Sequence, residues 1–475
     1  MTEPLDAVIV GGGPNGLAAA IELARAGRSV EVLEAEATVG GGARSAETTV
    51  PGVVHDICSA IYPFGRTSPF FRGAALETFG LRWIEPPASL GHPFDDGTAV
   101  LVERDVEATA AMLGRDRDVY RRLMGPLVRN FEVLLPDLLG PFHIPLWPPR
   151  TIRLGLFGLF ALQPATTLAR LFRSDRGRAL LAGAAAHSIL PLTKPISGAA
   201  GLTMLASAHA DGWPFPEGGA GRIPEAMAAA LDHLGGRVSV GRRVGHIDEL
   251  PPHRAAILDV TARPLLRIAG DRLPDRYRRR LARFHYGPGV FKLDIAIEGD
   301  IPWRSRELLR AGTIHLGGTL EEIARAEGAV AAGRPPDRPF VLLAQQSLFD
   351  RTRAPDGRNA VWAYCHVPNG STDDMTKPIL GQIERFAPGF RDRILGLQTT
   401  SPADLERYNP NDVGGDIGGG SNELAQFFAR PAWRLDPYST PNPSIFICSA
   451  STPPGGGVHG MGGYHAARSV LKSLR

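Results

Sequence analysis

Residues 5–10 are apolar at every position but Asp6, a run too short for a helix and dense enough for a strand buried on both faces. After a glycine-rich break, residues 17–26 carry Leu, Ala and Ile at the density of a buried helix. Residues 29–33 then read as a second strand, with Glu34 at its end. Helical spacing dominates the next stretch: Leu123, Leu127, Phe131, Leu134 and Leu138 mark one face within 105–139, and 154–190 is similarly rich in Leu, Ala, Arg and Phe. A proline-rich break at 140–149 separates the two helical groups. Core packing is the commoner use of such stripes; contact with a membrane or an apolar ligand is the other.

From about residue 211 the pattern turns mixed. It predicts an alanine-rich helix at 225–234, short strands at 237–240 and 243–244, and strands at 290–297, 340–345 and 360–366 between loops and helices. The chain closes with a strand at 444–449, a glycine-rich loop at 450–463 and a helix at 464–474. No internal repeat or low-complexity tail interrupts this order.

The break after the first strand carries chemistry. Gly11, Gly13 and Gly16 have GxGxxG spacing, with Pro14 and Asn15 inside it. Such glycines give a tight turn, close approach of backbone to a pyrophosphate, and close packing of helix on strand. The free N–H groups of the helix favour phosphate charge. Glu34 stands where a carboxylate accepts hydrogen bonds from ribose hydroxyls and repels a 2′-phosphate. Strand, glycines, helix, strand and acid in register point to an adenine dinucleotide. Gly40, Gly41, Gly42 and Arg44 follow, placing more N–H groups and a guanidinium near the same pyrophosphate; a surface loop is the plain alternative. No second fingerprint appears, so one dinucleotide fold is expected and a separate nicotinamide domain is not.

Composition changes this picture little. At 475 residues there is room for two domains, and 43% hydrophobic with 21% charged residues describes an ordinary soluble protein. A net charge of +3 points to no nucleic-acid partner. Lysine is rare: Lys194, Lys292, Lys377 and Lys472 stand among many arginines. Cys58, Cys365 and Cys448 are widely spaced, which argues against a disulfide framework, a metal site and a redox dithiol. The first strand leaves no room for a signal peptide, and the apolar stretch 154–162 is too short to span a bilayer, so a cytoplasmic location is expected.

Residues 11–44, 215–244 and 453–463 together resemble the phytoene dehydrogenase and carotenoid desaturase-like flavoproteins. The similarity is nearest to the family named pyridine nucleotide-disulfide oxidoreductase domain-containing protein 2. It is carried by residues 51–59, 287–294, 312–318 and 449–461. A chain without a dithiol does not fit the disulfide in that name. The glycines ending in Arg44 are similar to the GG motif of flavoproteins with two dinucleotide-binding domains, which implies FAD rather than NAD.

The resemblance implies an α/β, amine-oxidase-like fold. Its Rossmann-type FAD-binding domain would be discontinuous (1–67, 211–284 and 431–475). The inserted substrate domain would comprise a helical region at 68–210 and a mixed sheet with helices at 285–430. FAD contacts are implied for Gly11, Gly13, Pro14, Asn15, Gly16, Glu34, Gly41, Gly42 and Arg44, with Val244 near the adenine. Gly456, Gly457, Val458, Gly460 and Met461 would lie near the flavin ring.

Two catalytic candidates follow. Residues 289–292, with Ile301, Pro302 and Trp303, are similar to a strand of the flavin amine oxidases in which a lysine holds a water near flavin N5 and assists reaction with oxygen. Lys292 has the matching place; the alternative is a surface lysine on an edge strand. His459 is either a proton carrier beside the ring or a histidine that satisfies loop carbonyls. His55, Asp56 and His315 are weaker, since most such residues cap turns; His315 is a candidate for the substrate cavity.

The expected function is an FAD-dependent oxidoreductase that removes hydride from a C–H bond of an apolar or lipid-like small molecule. Oxygen, a quinone or another acceptor would take the electrons. A flavin amine oxidase is one alternative. The other is a flavin-binding interaction protein with little catalysis, docking membranes or partners through the helical region.

Overall fold

The computed structural model describes residues 3–142, 148–355 and 357–474. Five parallel strands form one sheet in the order Ile445–Ile447, His253–Leu258, Leu5–Val10, Val30–Leu33 and Arg237–Ser239. Three distant parts of the chain thus build a single sheet. Its alternate residues feed opposite cores: Ala7 and Ile9 pack on one face, Val8 and Val10 on the other. This two-sided burial is what the near-continuous apolar run required.

The Pro14–Arg25 helix follows the first strand, with proline in its first turn, where a missing N–H costs nothing. The Met461–Ser473 helix lies across it at backbone range. A Cβ at Gly463 would run into the Asn15 carbonyl oxygen, and one at Gly462 would lie 2.5 Å from the Cys448 carbonyl oxygen. These two glycines of the closing loop therefore pack helices rather than approach a ligand.

The second sheet has seven strands, in the order Ile394–Thr400, Gly289–Glu298, Arg358–Val367, Val341–Ala344, Ala311–Leu316, Ala88–Pro93 and Ala99–Glu103. Its pairs are antiparallel except Ala311–Leu316 with Ala88–Pro93. Two of these strands come from the region that reads as helical. The Ala88–Pro93 segment mixes Ala, Ser, Gly, His and Pro without apolar alternation, so nothing in its pattern marks it as a strand. Alternation does sort the other strands: Val341, Leu343, Val361 and Ala363 face one core, while Leu342, Ala344, Trp362 and Tyr364 face the other.

Residues 243–244 form no strand. Gly241 and Arg242 instead donate their N–H groups to the carbonyls of Glu36 (2.8 Å) and Glu34 (2.7 Å), holding this segment as irregular chain beside the second strand. Among the described residues no single helix is long and apolar enough to cross a membrane.

Candidate functional site

A cavity of about 1090 Å³ is lined jointly by the glycine loop of the five-stranded sheet, by the seven-stranded sheet and by the helical region. Single small-molecule sites run to roughly 300–1,000 Å³, so this space suits a cofactor and a substrate together.

At the glycine loop, Gly11 has φ +105°, a conformation only glycine adopts without strain, and Gly13 and Gly41 touch across the turn. Glu34 is buried. Its Oε2 accepts from the Gly12 N–H (2.7 Å), and its Oε1 accepts from the Glu36 N–H (2.9 Å) and the Arg44 guanidinium (3.3 Å). Arg44 also donates to the Thr38 carbonyl (2.6 Å) and lies over the Tyr408 ring, so its guanidinium is engaged within the loop. Asn15 lines the cavity with its Oδ1 buried and unpartnered.

The cavity wall includes Gly11, Gly13, Pro14, Asn15, Glu34, Gly41, Gly42, Arg44, Val244, Gly456, Gly457, Val458 and His459. Gly16, Gly460 and Met461 are not part of it. At Gly16 a Cβ would strike the Gly11 carbonyl oxygen, so this glycine closes the helix onto the turn. A Cβ at Gly460 would strike the Phe70 ring, and Met461 is buried in the core around the first helix.

Both catalytic candidates change character. Lys292 does not line the cavity. It sits on an internal strand, and its Nζ lies 2.5 Å from each oxygen of Asp294, with both side chains 2% exposed. Lys292 is therefore not a surface lysine, and its ammonium is paired with a buried carboxylate. His459 lines the cavity, and its Nδ1 accepts from the Met461 N–H (3.1 Å). Burial lowers its pKa to about 4. A neutral ring whose Nδ1 is tied to the first turn of the last helix is poorly suited to carry a proton at neutral pH.

The weaker candidates are also structural. Asp56 accepts from Ser45 Oγ, the Ala220 N–H and the Arg353 guanidinium, each at 2.7 Å, all buried or nearly so. Arg353 also bonds Asp350 (3.0 Å) and the Pro216 carbonyl (2.9 Å). His55 Nε2 bonds Thr49 Oγ1 (2.8 Å), and its Nδ1 lies 3.6 Å from Asp294. His315 stands behind the cavity wall, with its Nε2 3.0 Å from Nε2 of His187, which does line it. Among the described residues no cluster of three or more His, Cys, Asp or Glu side chains could hold a metal, and Cys58, Cys365 and Cys448 are free.

The residues fit a dinucleotide: an open glycine turn, a buried acid at the end of the second strand, an orphaned Asn15 oxygen and ample volume. A family model described as an NAD(P)-binding Rossmann-like domain matches residues 9–72. The chain is 25% identical to the pyridine nucleotide-disulfide oxidoreductase domain-containing protein 2 of Rattus norvegicus, over 99% of this chain and 94% of that protein. It is 25% identical to the phytoene dehydrogenase of Streptomyces griseus, over 87% of this chain and 81% of that one. It superposes on putrescine oxidase solved with putrescine bound at a TM-score of 0.63, covering 99% of both chains at 18% identity. The fold is that of the amine-oxidase-like flavoproteins.

Within that fold, sequence reading missed several residues of the cavity wall. Asp259 follows the His253–Leu258 strand, and its Oδ2 accepts from the Gly16 N–H (2.8 Å). Burial raises its pKa to about 7, aided by the charge of Glu34 and opposed by the Gly16 bond. With 243 residues separating the partners, no local signal could pair them. Thr313, Leu342, Ala344, Trp362 and Tyr364 form the wall on the seven-stranded sheet. Only the alternation within their strands marks them, and it does not say which face meets a ligand.

Proposed function

We propose that this chain is an FAD-dependent oxidoreductase that takes hydride from a C–H bond of an apolar small molecule. One observation carries the reading: a single cavity is walled by the dinucleotide turn and by the Trp362 and Tyr364 side chains. Bound FAD supplies the hydride acceptor. Gly11, Gly13, Gly41 and Gly42 admit its backbone-facing half, Glu34 faces its ribose, and Val244 its adenine. Gly456, Gly457 and Val458 would face the ring. The chain's task is then to orient the substrate and exclude water, and the aromatic wall and the Leu, Ile and Phe side chains around it do both.

The apolar reading is preferred to an amine because the wall given by the seven-stranded sheet, Thr313, Leu342, Ala344, Trp362 and Tyr364, carries no charged side chain. The phytoene dehydrogenase relative supports it; the putrescine oxidase likeness supports the amine. The outer face of the Pro148–Ala161 helix exposes Ile152, Leu156 and Leu159 (62%, 56% and 66%), while Leu154 and Phe157 of the same helix line the cavity. This supports peripheral docking on a membrane, from which the substrate is drawn. Oxygen, a quinone or another acceptor then takes the electrons.

An anaerobic screen tests the reading. The flavin absorbance of the purified holoprotein is expected to bleach with a long-chain alkene or a polyene and to persist with diamines. Bleaching by amines alone would replace this reading with an amine oxidase. No bleaching by any class would favour a flavin-binding interaction protein.

A further inference from the structure

The sheet side of the cavity has a chemistry of its own. Thr313 pairs in register with Ala344, and Ala344 pairs with Trp362. Residues in register share a face, so these three form a row across adjacent strands spaced about 4.8 Å apart. The smallest side chain is in the middle, which leaves a notch flanked by a hydroxyl and an indole. All three residues line the cavity. Thr313 is 3% and Trp362 9% exposed, and neither Thr313 Oγ1 nor Trp362 Nε1 has a hydrogen-bond partner.

Buried polar atoms are nearly always paired, so two orphans flanking one notch call for a ligand atom. An indole N–H only donates, so that atom must accept. A threonine hydroxyl donates or accepts, so the atom can be a carbonyl or a hydroxyl oxygen. The row itself carries no charged side chain. In the neighbouring register positions Asp294 stands beside Trp362 and Lys292 beside Tyr364, and the two cancel as an ion pair. His187, which lines the cavity, and His315 behind it are kept neutral by burial. A carboxylate here would lose its hydration with no counter-charge, and an ammonium could not accept from Trp362.

We propose that the substrate carries an uncharged oxygen function, a hydroxyl or a ketone, seated between Thr313 and Trp362 at one end of an otherwise apolar body. This rests on the reading of the cavity as an apolar substrate site, and it adds the anchor that fixes which C–H bond is presented.

The test is calorimetric titration of the FAD-loaded protein with octan-1-ol, octan-2-one, octane, octylamine and octanoate. The alcohol and the ketone are expected to bind about five- to tenfold more tightly than octane, the worth of one or two net hydrogen bonds. Amine and carboxylate should bind more weakly than octane. Thr313→Val and Trp362→Phe should each weaken octan-1-ol about three- to tenfold more than they weaken octane. Octane binding as well as octan-1-ol, or octylamine or octanoate binding best, would overturn the proposal alone. Failure of every probe, octane included, would overturn the apolar-site reading and this proposal with it.

Discussion

Replacing Lys292 with methionine separates a structural lysine from a catalytic one. Its ammonium lies 2.5 Å from both oxygens of Asp294 and both side chains are 2% exposed, so the variant leaves a carboxylate buried without its counter-charge. Breaking such a pair costs about 3–5 kcal/mol. With an m value of about 3–4 kcal/mol/M, that loss lowers the urea midpoint by roughly 1 M. Replacing both residues, as Lys292→Met with Asp294→Leu, should recover most of it, because an apolar pair carries no desolvation cost.

The pH dependence has a definite sign. Burial already raises the pKa of Asp294, and removing Lys292 raises it further. An acid whose folded pKa lies above its unfolded value adds stability below the unfolded pKa and loses it as pH rises through the folded one. The deficit of Lys292→Met is therefore expected to shrink from pH 8 to pH 5.5. Since Lys292 does not line the cavity, flavin reoxidation by oxygen in the folded variant should stay near the wild-type rate. Unchanged stability together with strongly slowed reoxidation, read by urea titration and stopped-flow absorbance, would refute this reasoning and restore the lysine to the oxygen reaction.

Asp259 offers a second perturbation. With a pKa of about 7 and a place in the cavity wall beside the glycine turn, its carboxylate is charged at pH 8 and would repel a pyrophosphate bound there. FAD should bind wild type more tightly at pH 6 than at pH 8, and Asp259→Asn should gain about three- to tenfold at pH 8 and little at pH 6. Fluorescence titration of FAD at the two pH values checks this; an equal gain at both would count against it. Gly463→Ala forces a methyl into the Asn15 carbonyl and should lower the melting temperature sharply, whereas Gly381→Ala, with open space around its Cβ, should not.

Much of the dinucleotide side was legible because its signals are local. The apolar run at 5–10, the fingerprint and the last helix each lie within a dozen residues. The seven-stranded sheet was legible where Val, Ile and Leu alternate, as in Gly289–Glu298, and illegible at Ala88–Pro93, where small and polar residues hide the period. Charge pairing was the main blind spot. Sequence shows Lys292 and Asp294 two apart, on one face of any strand, but not that the strand is internal, and burial is what converts a free ammonium into a fixed pair. Glycines misled in the same way: Gly456 and Gly457 meet the cavity, while Gly460 meets the Phe70 ring. Spacing alone cannot distinguish a ligand from a neighbouring group, since both demand a missing Cβ.

Release and identification of the bound flavin tests the central claim most directly. Purified protein should be yellow, and denaturation should free about one FAD per chain. Gly13→Val should abolish this, because even a Cβ there lies 2.9 Å from Asp259 Oδ2 beside the open turn. Colourless protein that takes up no FAD on incubation, or release of a flavin lacking the adenosine half, would contradict it.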